Sequence, residues 1–437
     1  MSEPDRLIVA YVMSRFPKLT ETFILAELEA MGRLGVAVEL HPLLRQHGEP
    51  VQPAAEAWVE RAHFLPFVSR SILRSQSRFL RDPVRRRRYL RAFADMLRGT
   101  WRSPNFLLGG LGIFPKTVHM ALDMVDEGVE HVHCHFANHP ALAGWLIHRL
   151  TGIPYSFTAH GSDLHVDRTM LATKVAEAAF VVTISRDNQA VIESTSGAAS
   201  AGKVEVIHCG VDPSAFRPVE RSVDGPLRIV AVGTLHEVKG QAHLIDACRR
   251  LRDRGVPFSC RFIGDGPDRE ALAARIERDG SGDHVTLAGR MTTDAVALEL
   301  ARADVLVAPS VPTSSGKREG IPVVLMEAMA SALPVVASRL SGIPELVTDG
   351  VDGLLVPPGD DEALADALER LARDPDLRVR LGGAGRETVL RAFDVDANAV
   401  LLRDRIITAL EASGRRTASA DGMAASAAGG AAQEAVA

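Results

Sequence analysis

The sequence is poor in cysteine, has no long apolar run and carries no basic leader. Its four cysteines, Cys134, Cys209, Cys248 and Cys260, form neither a CxxC pair nor a zinc-finger spacing. That excludes a disulfide framework and predicts reduced, buried thiols in a cytoplasmic protein. No stretch of 18 apolar residues occurs, so no spanning helix is expected. The first residues, MSEPDRLIVAYV, lack a basic region followed by an extended apolar segment, and no secretory signal is expected. With 46% hydrophobic and 24% charged residues among 437, the chain reads as globular and long enough for two domains.

The net charge of −5 hides a local excess. Between Arg70 and Arg102 stand eleven arginines against Asp82 and Asp95, a local balance of +9. Apolar residues at near-helical spacing (Ile72, Leu73, Phe79, Leu80, Tyr89, Leu90, Phe93, Met96, Leu97) make this segment one or two basic amphipathic helices. It could be a solvated face, or it could attract anionic lipid headgroups or a lipid-diphosphate acceptor. The second use would put the protein at the inner face of the plasma membrane. No recognised binding motif accompanies the charge, so nucleic acid is not an expected partner.

Read in order, the chain alternates strand and helix. Leu7 to Met13 is a buried strand, SRFPKLTET a loop, and a helix from Thr20 or Glu21 leads to a strand at Val36 to His41. Parallel sheets place ligands at the carboxyl ends of strands, which makes Lys18, Thr20 and Glu21 candidates for a cleft wall, against a plain helix cap for Thr20. Val118 to Asp126 reads as a helix and Glu130 to Phe136 as a strand. His131, His133 and His135 share one face of that strand, as in the opening of some metal-dependent hydrolases or as a histidine-rich cleft lining. The strand Tyr155 to Ala159 delivers His160-Gly161-Ser162-Asp163 and makes His160 the preferred histidine. A strand at Val204 to His208 ends this half. A proline- and charge-rich linker, 217–226, follows.

The pattern then restarts with a strand at Leu227 to Val232, a loop from Gly233 to Gly240, and a helix. Lys239 in that loop is a point charge suited to phosphate, and the glycines let the backbone approach a ligand. Strands ending at Ile263 and Ala288 follow, the second before Arg290. The organising stretch is Ser314 to Val336, SSGKREGIPVVLMEAMASALPVV, where Glu319 and Glu327 stand eight positions apart. It reads as loop then helix, with Pro322 at the first helical position. Gly320, Ile321 and Val323 can offer amides to a pyrophosphate at the helix N-terminus, and the two glutamates can accept from hydroxyls on either side. An ordinary strand-loop-helix with a solvated Glu319 accounts for the same spacing. Val395 to Ala412 reads as a closing helix and 413–437 as a disordered tail. Asp394-Val395-Asp396 resembles a DxD but suits a helix cap.

The run EGIPVVLMEAMASALPVVASRLSGIPELVTDGVDGLLVPPGD resembles the donor-binding region of the family 4 retaining glycosyltransferases of the GT-B fold, including their E-x7-E signature, over about residues 5–410. SRFPKLTETFI, HVHCHFA and PYSFTAHGSDL are similar to the branch that builds bacterial exopolysaccharides of the colanic-acid type. The resemblance implies an α/β protein of two Rossmann-like domains facing each other across a cleft. Residues 1–216, with a basic helical insertion at about 60–115, would form the acceptor side; 227–394 would bind the nucleotide sugar; helix 395–412 would cross back to the first domain.

It further implies transfer of a hexose from a UDP- or GDP-linked sugar to a saccharide or lipid-linked acceptor, with retention and with neither metal nor cofactor. Glu319 would bind the sugar hydroxyls, with Gly320 and Ile321 on the phosphate, Glu327 on the ribose, Lys239 beside Gly233 on the diphosphate, and His160 beside the reacting sugar. Where the family usually has arginine next to the glycine of the lysine loop, this chain has Thr234; Arg290 or Arg186 is the expected substitute. A GT-B epimerase or phosphorylase and a non-catalytic nucleotide-sugar binder stay open.

Overall fold

The computed structural model describes residues 6–18, 21–48, 52–219, 225–314 and 316–416. Thr20, half of the expected linker (220–224) and most of the expected tail lie outside them. Two parallel six-stranded sheets organise the chain. The first holds β1 (Ile8–Phe16), β2 (Ala37–Arg45), β3 (His131–His135), β4 (Tyr155–Ala159), β5 (Phe180–Thr183) and β6 (Val204–Val206), in the order β2-β1-β3-β4-β5-β6. The second holds β7 (Leu227–Val232), β8 (Phe258–Ile263), β9 (Val285–Gly289), β10 (Val305–Ala308), β11 (Val335–Ser338) and β12 (Leu354–Val356), in the order β12-β11-β10-β7-β8-β9. Every strand pair is parallel. Helices on both faces therefore bury β3, β4, β5, β10 and β11 throughout, which is why those runs are apolar or hydrogen-bonded without alternation.

Strand order reverses between β7 and β10 in the second sheet and between β1 and β3 in the first. At such a switch point the loops after two neighbouring strands diverge and leave a crevice. The loops after β7 and β10 are the lysine loop and the Glu319 loop. They touch: Gly240 has φ +68°, and a Cβ there would lie 1.8 Å from the Pro309 carbonyl oxygen. Only glycine permits that contact.

The basic segment forms two helices, Arg70–Arg81 and Pro83–Thr100. The helix expected from Val118 instead begins at Pro104 and runs to Asp126. Its glycines disguise it in the sequence and are used in packing, since a Cβ on Gly109 would lie 2.0 Å from His139 Nε2 on the His139–Thr151 helix. Its buried Ile113, Phe114 and Val118 belong to the first half's core, so the insertion has no boundary at 115. β6 stops at Val206, short of His208, and Pro322 precedes the Val323–Ala330 helix instead of opening it. Cys134, Cys248 and Cys260 are buried free thiols, and Cys209 is half-buried.

The Val395–Ala412 helix is capped by Asp394, whose carboxylate accepts from the amides of Asp396 and Ala397 at 2.8 and 3.2 Å. Its buried face, Ala399, Leu402, Ile406 and Leu410, shares one core with Val9, Leu28, Met31 and Val38 of the first half. The chain thus ends its fold on the domain where it began.

Candidate active site

The second half contributes a charged pair at its switch point. Lys239 ends a short turn in which His236 Nδ1 accepts from the Val238 amide at 3.2 Å. Its stem passes over Gly233, where a Cβ would lie 3.3 Å from Lys239 Cε. Its Nζ lies 2.8 Å from Glu319 Oε2, and both side chains are largely shielded. The amides of Gly320, Ile321 and Val323 make no protein hydrogen bond among the described residues. Free donors at a helix N-terminus carry partial positive charge and favour an anion.

Glu327, one turn into the Val323–Ala330 helix, is only 8% exposed and has no charged partner among the described residues. Burial pushes its carboxyl up to about 7, because the charged form loses its hydration. It lines a cavity of about 320 Å³ between the halves, walled by Thr22, Phe23 and Glu29 on one side and Thr292, Asp294 and Val323 on the other. That volume is within the usual range for a small-molecule cleft.

The first half brings His160 to this edge. A Cβ on Gly320 would lie 2.8 Å from the His160 carbonyl oxygen, so the two halves meet at this turn. The imidazole packs against Phe23 and Phe136, with ring centroids 4.7 and 4.8 Å away. Its Nε2 lies 3.1 Å from His135 Nδ1, and His135 Nε2 lies 3.3 Å from Glu27 Oε1. Burial, then the charges of His135 and His133, hold His160 well below the usual imidazole value. The ring is therefore neutral at pH 7, with His135 on Nε2 and the Cys209 sulfur 3.7 Å from Nδ1.

The turn itself is fixed by Asp163. Its buried carboxylate accepts from the amides of His160 at 3.0 Å, Gly161 at 2.8 Å and Ala137 at 2.5 Å. Sequence reading missed this role, although an aspartate a few residues after a strand end is a recurrent local cap. It also missed Glu27 and the cavity walls, which come together only in the fold.

Other candidates fall elsewhere. Lys18 and Glu21 pair with each other at 2.6 Å and line a small neighbouring hollow with Met13 and Gln52. Thr20 lies outside the described residues. Thr234 is exposed, and its carbonyl accepts from Gln241 Nε2. Neither proposed substitute pairs with Lys239 or Glu319 among the described residues. Arg290 is exposed just beyond β9, and Arg186 gives its amide to Glu345 across the domain boundary at 2.8 Å.

The alternating histidines of β3 do share one face. His131 Nε2 and His133 Nδ1 both meet Ser156 Oγ, at 2.7 and 2.8 Å, while His133 Nε2 meets Thr158 Oγ1 at 3.0 Å. Glu27, His133 and His135 are close enough to hold a metal ion. Both nitrogens of His133 already have hydroxyl partners, however, so ligation there would break a buried hydrogen bond.

Two families match the two halves. The one described as Glycosyltransferase Family 4 matches residues 94–215, and the one described as Glycosyl transferases group 1 matches residues 226–374. The putative colanic acid biosynthesis glycosyltransferase WcaL of Salmonella typhimurium is 40% identical over 199 residues, 45% of this chain and 48% of that protein. The chain thus spans about half the length of such relatives. The alpha-maltose-1-phosphate synthase of Mycolicibacterium smegmatis is 31% identical over 307 residues, 62% of this chain and 78% of that protein. Among solved structures, that of Anabaena HepE in complex with UDP superposes with a TM-score of 0.69 at 18% identity, covering 92% of this chain and 100% of that one.

Proposed function

The chain belongs to glycosyltransferase family 4 and has the GT-B fold; from that premise we propose that it moves a hexosyl group from a nucleoside diphosphate sugar to a hydroxyl of a saccharide or lipid-linked saccharide in exopolysaccharide synthesis. The observation that carries this reading is the Lys239–Glu319 pair set beside the free amides of Gly320, Ile321 and Val323. A cation and a helix N-terminus suit a diphosphate, and a carboxylate beside them suits the hydroxyls of the attached sugar.

In this reading Lys239 and the amides stabilise negative charge as the diphosphate leaves. Glu319 orients the sugar, Glu327 accepts from the ribose, and neutral His160, giving up its long contact to Cys209, helps orient the donor beside the reacting carbon. The leaving phosphate takes the acceptor's proton on the same face, so the sugar keeps its anomeric configuration and no side chain acts as nucleophile. The cavity that Glu327 lines then takes the ribose end of the donor, and Lys18 and Glu21, on the neighbouring hollow, face the acceptor side. A thermal-stability screen of nucleotide sugars identifies the donor, because a ligand of the native state raises its stability. NMR of the product then gives the anomeric outcome. No stabilisation by any nucleotide sugar defeats the reading, and inversion defeats its mechanism.

We also propose that the basic helices meet a membrane. Arg74, Arg78, Arg81 and Arg86 are exposed together with Leu73, Val84, Leu90, Trp101 and Leu108, a mixture suited to anionic headgroups and the acyl boundary. No helix among the described residues is long and apolar enough to cross a membrane.

A further inference from the structure

A second group of metal-ligating side chains lies outside the cleft, against the edge strand of the first sheet. Glu39 and His41 stand two apart on β2 and point to the same face. His63 follows the Pro53–Arg61 helix, and Glu127 caps the C-terminal end of the Pro104–Asp126 helix. Three separate elements therefore converge on one spot.

His41 is the unusual member. It is 1% exposed, and neither ring nitrogen has a hydrogen-bond partner. A buried imidazole without partners is costly. Its Nε2 points toward Glu127, whose Oε2 lies 4.0 Å away, too far for a hydrogen bond. His63 stacks on it, with centroids 4.3 Å apart. His63 Nε2 lies 3.0 Å from Glu39 Oε2, while His63 Nδ1 lies 3.8 Å from Glu127 Oε1.

We propose that His41 Nε2, His63 Nδ1 and a Glu127 oxygen bind a divalent transition-metal ion of the zinc type, with water in the remaining position and Glu39 orienting His63. The three donors lie within 4.8 Å of one another. A tetrahedral zinc with bonds near 2.0–2.2 Å needs donors about 3.3 Å apart, so the observed gaps close by small side-chain turns that tilt His63 out of its stack. Glu39 plays the part that carboxylates commonly play behind metal-bound histidines: its hydrogen bond to one ring nitrogen leaves a lone pair on the other. Two imidazoles and a carboxylate favour zinc over magnesium or calcium. Glu127 and His63 are each about a third exposed, which gives the ion a way in. By tying a helix end and the chain after Pro53–Arg61 to β2, the ion would act as a structural staple, and nothing in this assignment depends on the transferase reading.

The test is zinc binding by the full chain after treatment with a chelator. Zinc titrated calorimetrically, followed by desalting and elemental analysis, is expected to leave one tightly held equivalent and a raised melting temperature. His63→Gln and Glu127→Gln, at partly exposed positions, should lose that equivalent while circular dichroism stays native. Glu39→Gln should weaken binding about 10–100-fold, and cobalt in place of zinc should give a tetrahedral visible spectrum that His63→Gln removes. If the wild-type chain retains no zinc, or if the equivalent survives both His63→Gln and Glu127→Gln, the assignment is overturned. Loss in Glu27→Gln with retention in His63→Gln would move the ion to the buried Glu27–His135 group and overturn it equally.

Discussion

Lys239 Nζ lies 2.8 Å from Glu319 Oε2, with the two side chains 23% and 19% exposed, so the groups assigned to diphosphate and sugar hold each other in the free protein. Donor binding must replace this pair with contacts to the ligand. Lys239→Ala and Glu319→Ala are each expected to lower transfer at least about 10²-fold. The pair is not fully buried, so the melting temperature should move little. Full activity in either variant would remove the site assignment.

Glu327 gives a pH dependence whose sign follows from burial. Its folded carboxyl titrates at about 7 against an ordinary 4.5. Between those values the unfolded chain has released this proton while the folded chain keeps it. Stability should therefore fall as pH rises through that window, by an amount on the order of 3 kcal/mol. Glu327→Gln should flatten the slope in denaturant titrations. A donor whose ribose hydroxyls stabilise the carboxylate should release protons on binding near pH 6–7, detectable by calorimetry in buffers of different ionisation heat.

Asp163 supports the His160 turn through three amides. Asp163→Asn keeps the shape but loses charge-assisted hydrogen bonds, which predicts destabilisation of about 2–3 kcal/mol. Transfer should fall as well, because the His160–Gly161 turn packs against Gly320. Unchanged denaturant midpoints would show that the amides do not depend on the charge.

Replacing Arg85, Arg86, Arg87 and Arg88 with alanine should abolish salt-dependent binding to anionic vesicles. At about 1 kcal/mol per basic residue near an anionic surface, the loss approaches three orders of magnitude. Equal binding by wild type and variant, or no vesicle binding at all, would make the segment a solvated face.

Much of the second half was legible because its chemistry is local. The loop after β7 and the loop-helix after β10 each carry their charged residue within a few positions of a glycine, and parallel topology alone brings them together. The first half was harder. His160 could be read from its strand end, but its partner His135 comes from another strand, and Glu27, which contacts His135, from a helix. The Pro104–Asp126 helix was half hidden because Gly109, Gly110 and Gly112 lower its helical propensity; contact with the His139–Thr151 helix restores it. Arg290 lies exposed just beyond β9, and spacing could not say whether its side chain turns to the cleft. Pairing of His41 with His63 and Glu127 spans too much sequence for spacing to reveal.

The Val395–Ala412 helix has a consequence for how the chain acquires its structure. Leu402, Ile406 and Leu410 complete a core whose other members include Val9, Leu28 and Val38. A ribosome that has made only the first half has made a sheet one of whose apolar faces is covered by the Thr22–Arg33 helix but still lacks the closing helix. That face waits for nearly the whole of the second half to be synthesised. The two halves are therefore separate in the sheets they build but not in the order they mature, and a fragment ending before Val395 should expose the first half's core to aggregation.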